Sequence, residues 1–105
     1  MSEFYCESVF SGKVEVKKVI ETPNVLAFYH TKPTWTTHVV NVPKIHISSL
    51  LELNDFNIIS EIFEVIQEIV GDFNLSETNF KIITNGGKFQ ESQHLHFHLV
   101  SGKPL

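Results

Sequence analysis

One long amphipathic segment, from Asn54 or Asp55 to Val70, constrains the fold more than any other part of the sequence. Its apolar side chains recur every three or four residues, and the residues between them are mostly polar or acidic. This period predicts an α-helix with one buried face, which must cover an apolar surface elsewhere in the chain. Asn54 or Asp55 is a suitable N-cap, and Gly71 is expected to end the helix. The apolar positions are Ile58, Ile59, Ile62, Phe63, Ile66, Ile69 and Val70.

Short segments rich in β-branched or aromatic residues lie on both sides of this helix and predict strands. Pro43 cannot donate to a sheet ladder, so it is expected to end the third of them. A short N-terminal helix is predicted over Phe4–Phe10, ended by Ser11 and Gly12. The predicted strands are Val14–Ile20, Val25–Tyr29, Thr37–Val42, Phe80–Thr84 and Gln93–Val100.

This order of elements predicts an α+β fold, a five-stranded antiparallel sheet with one long helix covering one face. The 105 residues suit a single domain spanning residues 1–105. A two-residue turn at Pro23 and Asn24 joins the second strand to the first as a hairpin. The last two strands are separated by Asn85, Gly86 and Gly87, which break the fourth strand.

Composition excludes several classes of function. The net charge is −4, and the eight basic residues are all scattered lysines, so no basic stripe predicts nucleic-acid binding. No apolar run reaches the roughly 20 residues of a membrane span. The N-terminal residues lack the pattern of a secretory signal, and the single cysteine, Cys6, cannot form an internal disulfide, which together predict a cytoplasmic location. Without arginine, any bound phosphate must be held by histidines, backbone N–H groups or a helix N-terminus.

Three of the six histidines alternate with apolar residues in the string HLHFHLV at residues 94–100. On a strand, His94, His96 and His98 would share one face, about 7 Å apart, and the intervening leucines and phenylalanine would face the helix. Imidazoles are costly to bury unless they are hydrogen-bonded. A row of three is therefore an unusual choice for a purely structural strand.

The string alone leaves three interpretations open. It is a solvated strand that happens to be rich in histidine, or a metal site in which alternate histidines reach one ion with a third ligand from elsewhere. Alternatively, it is a phosphate site in which imidazoles act as nucleophile and proton donors near neutral pH. The residues elsewhere in the chain favour the third interpretation.

Residues 94–100 fit the pattern His-φ-His-φ-His-φ-φ, where φ is apolar, and resemble the signature of the histidine-triad superfamily. Other segments resemble this family in the same order. Val25–Phe28 is similar to its second strand, Pro33 and His38 to the loop into its third strand, and VPKIHI at residues 42–47 to its VPKxHI segment. Lys81–Gly87 precedes the triad at nearly the usual distance. The chain therefore resembles the nucleotide-binding, phosphoramidase branch of the superfamily over nearly its whole length.

The resemblance implies a role for each of four catalytic histidines. In this family the middle histidine attacks the α-phosphate of a nucleotide conjugate, and water then hydrolyses the nucleotidyl-histidine; that role falls to His96. Its Nδ1–H must be fixed by a partner, in this family a backbone carbonyl, so that Nε2 can react. His98 would donate to a non-bridging phosphate oxygen. His94 and His38 occupy the positions of the paired supporting histidines near the leaving group.

The resemblance also implies four nucleotide-binding residues, namely Asn85 on the phosphate side, Phe28 in the base pocket, His30 and Ser92. For Phe28, a plain core role is the alternative. His30 stands where the family usually has Asp or Asn bonded to the ribose hydroxyls. An imidazole cannot supply the paired acceptors of a carboxylate, so ribose binding is expected to be weakened or rearranged.

Glu91 and Ser92 mark a second departure. Close to the leaving group, three residues before the first triad histidine, the family tends to have Ser or Thr, and this chain has Glu91. A carboxylate there would repel a second phosphate and suit an amine leaving group. Because the loop 87–93 is shorter than usual, Ser92 is the alternative occupant. The sequence leaves this choice open.

The function implied is hydrolysis of nucleoside 5′-phosphoramidates or adenylate conjugates, with a purine nucleotide or its conjugate as the small-molecule partner. The alternatives are a dinucleoside polyphosphate hydrolase, a nucleotidyl transferase, a catalytically weak nucleotide-binding scaffold and a metal-binding domain. No cofactor and no metal are expected. The resemblance implies that some relatives bind a structural zinc through an N-terminal Cys-x-x-Cys and two histidines; here Glu3 stands at the first of these positions and only Cys6 remains, so that zinc site is expected to be absent. A homodimer with a sheet continuous across its interface is also implied.

Overall fold

The protein is an antiparallel sheet with a long helix packed on one face, as seen in a computed structural model that describes Tyr5 and residues 9–105. The sheet has five strands in the order β1-β2-β3-β5-β4, with every neighbouring pair antiparallel. The predicted α+β class is therefore confirmed. The elements are β1 (Lys18–Glu21), β2 (Val25–Tyr29), β3 (Trp35–Pro43), α1 (Asn57–Asp72), β4 (Lys81–Ile83) and β5 (Phe97–Pro104).

The helix α1 buries its apolar stripe against β2, β3 and β5, where the larger hydrophobic core forms. Burying each large aliphatic side chain contributes about 1.5–3 kcal/mol, and this gain holds the helix on the sheet. The core-forming helix residues are Ile62, Val65, Ile66 and Ile69.

Both predicted ends of the helix are shifted. The helix begins at Asn57 rather than at residue 54 or 55, and the Asp55 carboxylate accepts a 3.0 Å hydrogen bond from the Asn57 N–H group. It also continues through Gly71 to Asp72, because the left-handed residue that follows the helix is Asn74, with φ 55°.

Among the described residues, those that pack on the opposite face of the sheet cover part of it. A second, smaller core forms where Tyr5 and Val9 of the N-terminal segment pack against Leu26 and Phe28 of β2 and against the valines of β3. The remainder of this face, around His38 and His98, is left open to a pair of clefts. The fold thus packs α1 on one side of β3 and β5, and places the imidazoles beside the smaller core on the other.

Four of the five predicted strands differ from their predicted bounds, β3 and β4 by only one or two residues at each end. β2 has the predicted bounds, but β1 begins only at Lys18, and β5 spans Phe97–Pro104 instead of Gln93–Val100. Residues 94–96 lie outside the ladder because their hydrogen bonds go to the segment that follows β3; for example, the Leu95 N–H donates to the Ile47 carbonyl at 2.7 Å. The side chains still alternate, since Leu95 and Phe97 enter the core beneath α1.

The predicted N-terminal helix, Phe4–Phe10, and the predicted absence of a zinc site at Glu3 and Cys6 fall largely on residues outside the described part of the chain, so both stay predictions. Across Tyr5 and residues 9–105, no helix has the length and apolar character needed to cross a membrane. The cytoplasmic location stays a prediction.

Candidate active site

The segment that carries His96 is held by three hydrogen bonds to neighbouring backbone and side chains. His94 donates from Nε2 to the Pro43 carbonyl oxygen at 2.7 Å, and the Leu95 N–H bonds to Ile47 beside it. The Thr84 hydroxyl donates to the His96 carbonyl oxygen at 2.8 Å. His96 therefore stands on a backbone that is fixed from both sides.

The His96 ring has one defined tautomer. Its Nδ1 donates to the carbonyl oxygen of His94 at 2.7 Å, which in a neutral imidazole puts the lone pair on Nε2. The ring packs against Tyr5, with centroids 5.2 Å apart, and against His98, at 4.9 Å. This is the tautomer that a nucleophile at Nε2 requires.

His38 and His98 form a directed chain of hydrogen bonds. The Thr34 N–H donates to His38 Nδ1 at 3.1 Å, so a neutral His38 carries its proton on Nε2. That proton is donated to His98 Nδ1, 2.8 Å away, which leaves the proton of His98 on its own Nε2. The backbone at Thr34 thus determines that His98 offers an N–H donor.

Burial keeps these two imidazoles neutral. Desolvation, with smaller contributions from His96, His38 and His30, lowers the pKa of His98 from its usual 6.5 to about 3. Desolvation and then His30 lower the pKa of His38 to about 4. Both rings are therefore uncharged near neutral pH, as the hydrogen-bond chain requires.

Two adjoining clefts open beside these histidines. The first has a volume of about 280 Å³ and apolar walls from Tyr5, Phe28 and Val40, with His96 among its polar residues. The second, of about 400 Å³, contains Trp35 and His38. Five residues line both clefts and mark their boundary, namely His30, Lys32, Asn85, Glu91 and His98.

Comparison with known proteins identifies the family of this chain. A family model described as the HIT domain matches residues 11–105. The chain belongs to the HIT domain family. A HIT-like protein of Helicobacter pylori is 32% identical to it over 103 residues, covering 91% of this chain and 93% of that protein.

Two further proteins are similar to this HIT domain. A histidine triad protein from Clostridium difficile has a solved structure that superposes with a TM-score of 0.88 at 36% identity, covering 100% of this chain and 94% of that chain. An adenosine 5′-monophosphoramidase of Candida albicans is 28% identical over 107 residues, covering 94% of this chain and 69% of that protein. The histidine-triad resemblance predicted from residues 94–100 is confirmed.

The HIT domain brings three of the four predicted catalytic histidines to the clefts. His96 and His98 line the first cleft, and His38 and His98 line the second. His94 lines neither, so its place near the leaving group stays a prediction. Its ring is fully buried, because its bond to Pro43 turns it inward and Tyr5 packs over it with centroids 5.5 Å apart. His94 contributes its carbonyl group, which orients His96.

All four predicted nucleotide-binding residues, Phe28, His30, Asn85 and Ser92, line the first cleft. Phe28 is also part of the smaller core, so both of its proposed roles are compatible with its position. The Ser92 hydroxyl is buried and has no hydrogen-bond partner among the described residues. Glu91 is exposed and lines both clefts, so Glu91 and Ser92 each reach the site.

Sequence reasoning missed the groups that orient the imidazoles. Tyr5 contacts both His94 and His96, and its only signal in the sequence is an aromatic residue in the predicted N-terminal helix. The N–H groups of Lys32 and Thr34, which fix His30 and His38, leave no side-chain signal, because almost any residue supplies a backbone N–H.

One group of imidazoles has the spacing of a metal site. One ring nitrogen each from His30, His38 and His98 lies within 4.8 Å of the other two. A metal-ligating histidine normally donates a proton from its second nitrogen. Here Nδ1 of His30 and of His38 accepts a backbone N–H instead, which places their protons on Nε2. The arrangement therefore fits hydrogen-bond donors better than metal ligands.

Proposed function

We propose that this HIT domain protein hydrolyses nucleoside 5′-phosphoramidates or related conjugates of a purine nucleotide, through a nucleotidyl-His96 intermediate. The observation that carries the proposal is the 2.7 Å hydrogen bond from His96 Nδ1 to the His94 carbonyl, which makes Nε2 the nucleophilic nitrogen. The similarity to an adenosine 5′-monophosphoramidase of Candida albicans supports the same activity.

The reaction proceeds in two balanced steps. In the first, His96 Nε2 forms a bond to the α-phosphorus while the bond from phosphorus to the leaving nitrogen breaks, and that nitrogen takes up a proton from water and departs as an amine. In the second, water attacks the same phosphorus, the bond to His96 breaks, and the water proton is released. The products are a nucleoside monophosphate and an amine.

Because the sequence contains no arginine, the imidazole donors, together with Lys32 at the boundary of the two clefts, would stabilise the charge on the phosphoryl oxygens. The hydrogen bonds that run from the Thr34 N–H through His38 place the proton of His98 on Nε2. This donor therefore needs no reorganisation when negative charge develops on the phosphoryl oxygens. Donors that are already oriented supply much of the stabilisation in acyl and phosphoryl transfer. Asn85 lines the same cleft and adds a side-chain amide.

Glu91 favours an amine over a phosphate as the leaving group. Its carboxylate lines both clefts, where it would repel the second phosphate of a dinucleoside polyphosphate. An amine that leaves with a proton is attracted by the same charge. We therefore place phosphoramidates before dinucleoside polyphosphates as substrates.

The test is AMP release from adenosine 5′-phosphoramidate, followed by chromatography. Wild-type protein should produce AMP, and His96→Asn should abolish its release. His46→Asn is the matched control, because it removes a histidine that lines neither of the two clefts and should leave the rate unchanged. A His96→Asn protein with the wild-type rate would disprove the assignment of the nucleophile. Wild-type protein that binds AMP without turnover would instead favour the scaffold alternative.

We also propose that two copies pair through the β4 edge of the sheet. β4 is an edge strand, and Ile82 and Phe80 are each 42% exposed next to Phe63 of α1, which is 41% exposed. An edge strand with apolar neighbours readily pairs with a second chain. Light scattering should give about twice the 12.0 kDa chain mass, and Ile82→Glu should reduce it. A 12.0 kDa particle for the wild type would contradict the dimer.

A further inference from the structure

His30 is an additional imidazole beside the triad histidines. It directly follows β2 and lines both clefts. Its ring stacks on His38, with centroids 4.4 Å apart and planes inclined by 29°, and lies 5.8 Å from the ring of His98. His30 is therefore held among the groups that would surround a bound phosphate.

The backbone fixes which hydrogen bond His30 can make. The Lys32 N–H donates to His30 Nδ1 at 2.9 Å, so the neutral ring carries its proton on Nε2. Desolvation and the neighbouring His96 lower the pKa of His30, although Glu91 acts in the opposite direction. With Nδ1 already occupied, the ring offers the cleft one N–H donor and no acceptor.

A phosphoryl oxygen suits this donor better than a ribose hydroxyl. Hydrogen bonds to charged oxygens are about twice as strong as those to neutral ones. His30 and His98 each place one ring nitrogen in a group whose members lie within 4.8 Å of one another, and both residues line the same cleft, so the two rings flank one small space that a phosphoryl group could occupy. The sequence contains no arginine, so an imidazole donor here would add to the contacts that Lys32 and His98 can make in the same cleft.

We propose that His30 donates its Nε2–H to a non-bridging oxygen of the substrate phosphate, beside His98, and that it is a phosphate contact rather than a ribose contact. This inference rests on the proposed function, since it concerns the same bound nucleotide. His30 would thus supply a hydrogen-bond donor of the kind that an arginine supplies in other phosphate sites.

The test compares His30→Asn with His30→Asp, two variants of nearly equal size. We expect both to melt at the same temperature, which checks the fold. The ligands are AMP and 2′,3′-dideoxy-AMP, with binding measured by calorimetry. A carboxylate facing the phosphate should repel it, so His30→Asp should bind AMP at least about tenfold more weakly than His30→Asn. The same ratio should hold for the dideoxy ligand, because the ribose diol is not involved.

Three results would overturn the inference. If His30→Asp binds AMP as tightly as His30→Asn, no phosphate oxygen lies at this position. If the difference between the variants disappears with dideoxy-AMP, residue 30 contacts the ribose. Stoichiometric zinc binding by the wild type that is lost in His30→Asn would assign the ring a ligand role. If the wild type itself does not bind AMP, the proposed function fails. If the wild type binds AMP and only the comparison of the variants fails, the inference about His30 alone is wrong.

Discussion

The two faces of β3 and β5 differ in what holds them together. On the face beneath α1, Val39 lies opposite Leu99, both are fully buried, and their contacts are carbon to carbon. One residue away, on the opposite face, His38 and His98 are held by hydrogen bonds from the Thr34 backbone onward. Apolar packing depends on volume, whereas the imidazole face depends on which atom carries each proton. A single residue step thus separates the groups that stabilise the fold from those that prepare the site.

The largest expected effect comes from truncating neighbouring residues on the two faces. His98→Ala removes the oriented N–H donor, so kcat should fall by about 10²–10³-fold with little change in the free energy of unfolding. Leu99→Ala leaves a cavity beneath α1 and should lower that free energy by about 2–5 kcal/mol. Urea unfolding and steady-state kinetics on both variants check the pair.

For Leu99→Ala, kcat should be unchanged at temperatures where the protein is folded. If Leu99→Ala lowered kcat as much as His98→Ala does, the two faces of the sheet would be coupled, and the separation of stability from catalysis would be wrong.

An intermediate effect is expected from pH. The pKa values of His38, about 4, and His98, about 3, lie below the usual 6.5, so the unfolded chain binds more protons than the folded protein between these values. The neutral rings of His38 and His98 therefore contribute fully to the free energy of unfolding above pH 6.5, and this contribution is lost as the pH falls toward 4. Urea unfolding at pH 7, 6 and 5 should show a decreasing free energy of unfolding. His38→Gln should flatten this dependence, and an unchanged slope in that variant would contradict it.

The smallest effect is expected at Thr84, the side chain that bonds to the His96 backbone, with Ser92 as the control. Thr84→Val removes the 2.8 Å bond to the His96 carbonyl and should lower the free energy of unfolding by about 1 kcal/mol. Ser92→Ala should be close to neutral, because that hydroxyl has no hydrogen-bond partner among the described residues. Equal losses in both variants, measured by urea unfolding, would argue against the role of Thr84.

Features that follow the period of a helix or strand could be predicted from the sequence. Features that depend on a hydrogen bond to a distant backbone group could not. The spacing in α1 and the alternation at residues 94–100 predicted most of the buried positions, because the burial of side chains follows the period of the element. Phe63 is the exception, since it is 41% exposed at the rim of the helix face. The start of β5 was not predictable, since residues 94–96 bond to the chain near Ile47 instead of to a strand.

The site shows the same limit. The grouping of His96, His98 and His38 followed from the motif, but the inward position of His94 depends on the Pro43 carbonyl. The proton positions on His30 and His38 depend on the N–H groups of Lys32 and Thr34, which carry no residue-specific signal.

The central claim is that His96 Nε2 bonds to phosphorus, and direct detection of the intermediate tests it best. Excess wild-type protein is mixed rapidly with adenosine 5′-phosphoramidate, digested, and its peptides are sequenced by mass spectrometry. We expect an adenylyl group on His96 at early times that disappears as AMP accumulates. An adenylyl group on His98, His38 or His30 instead, or AMP release with no adenylated peptide at any time, would contradict it.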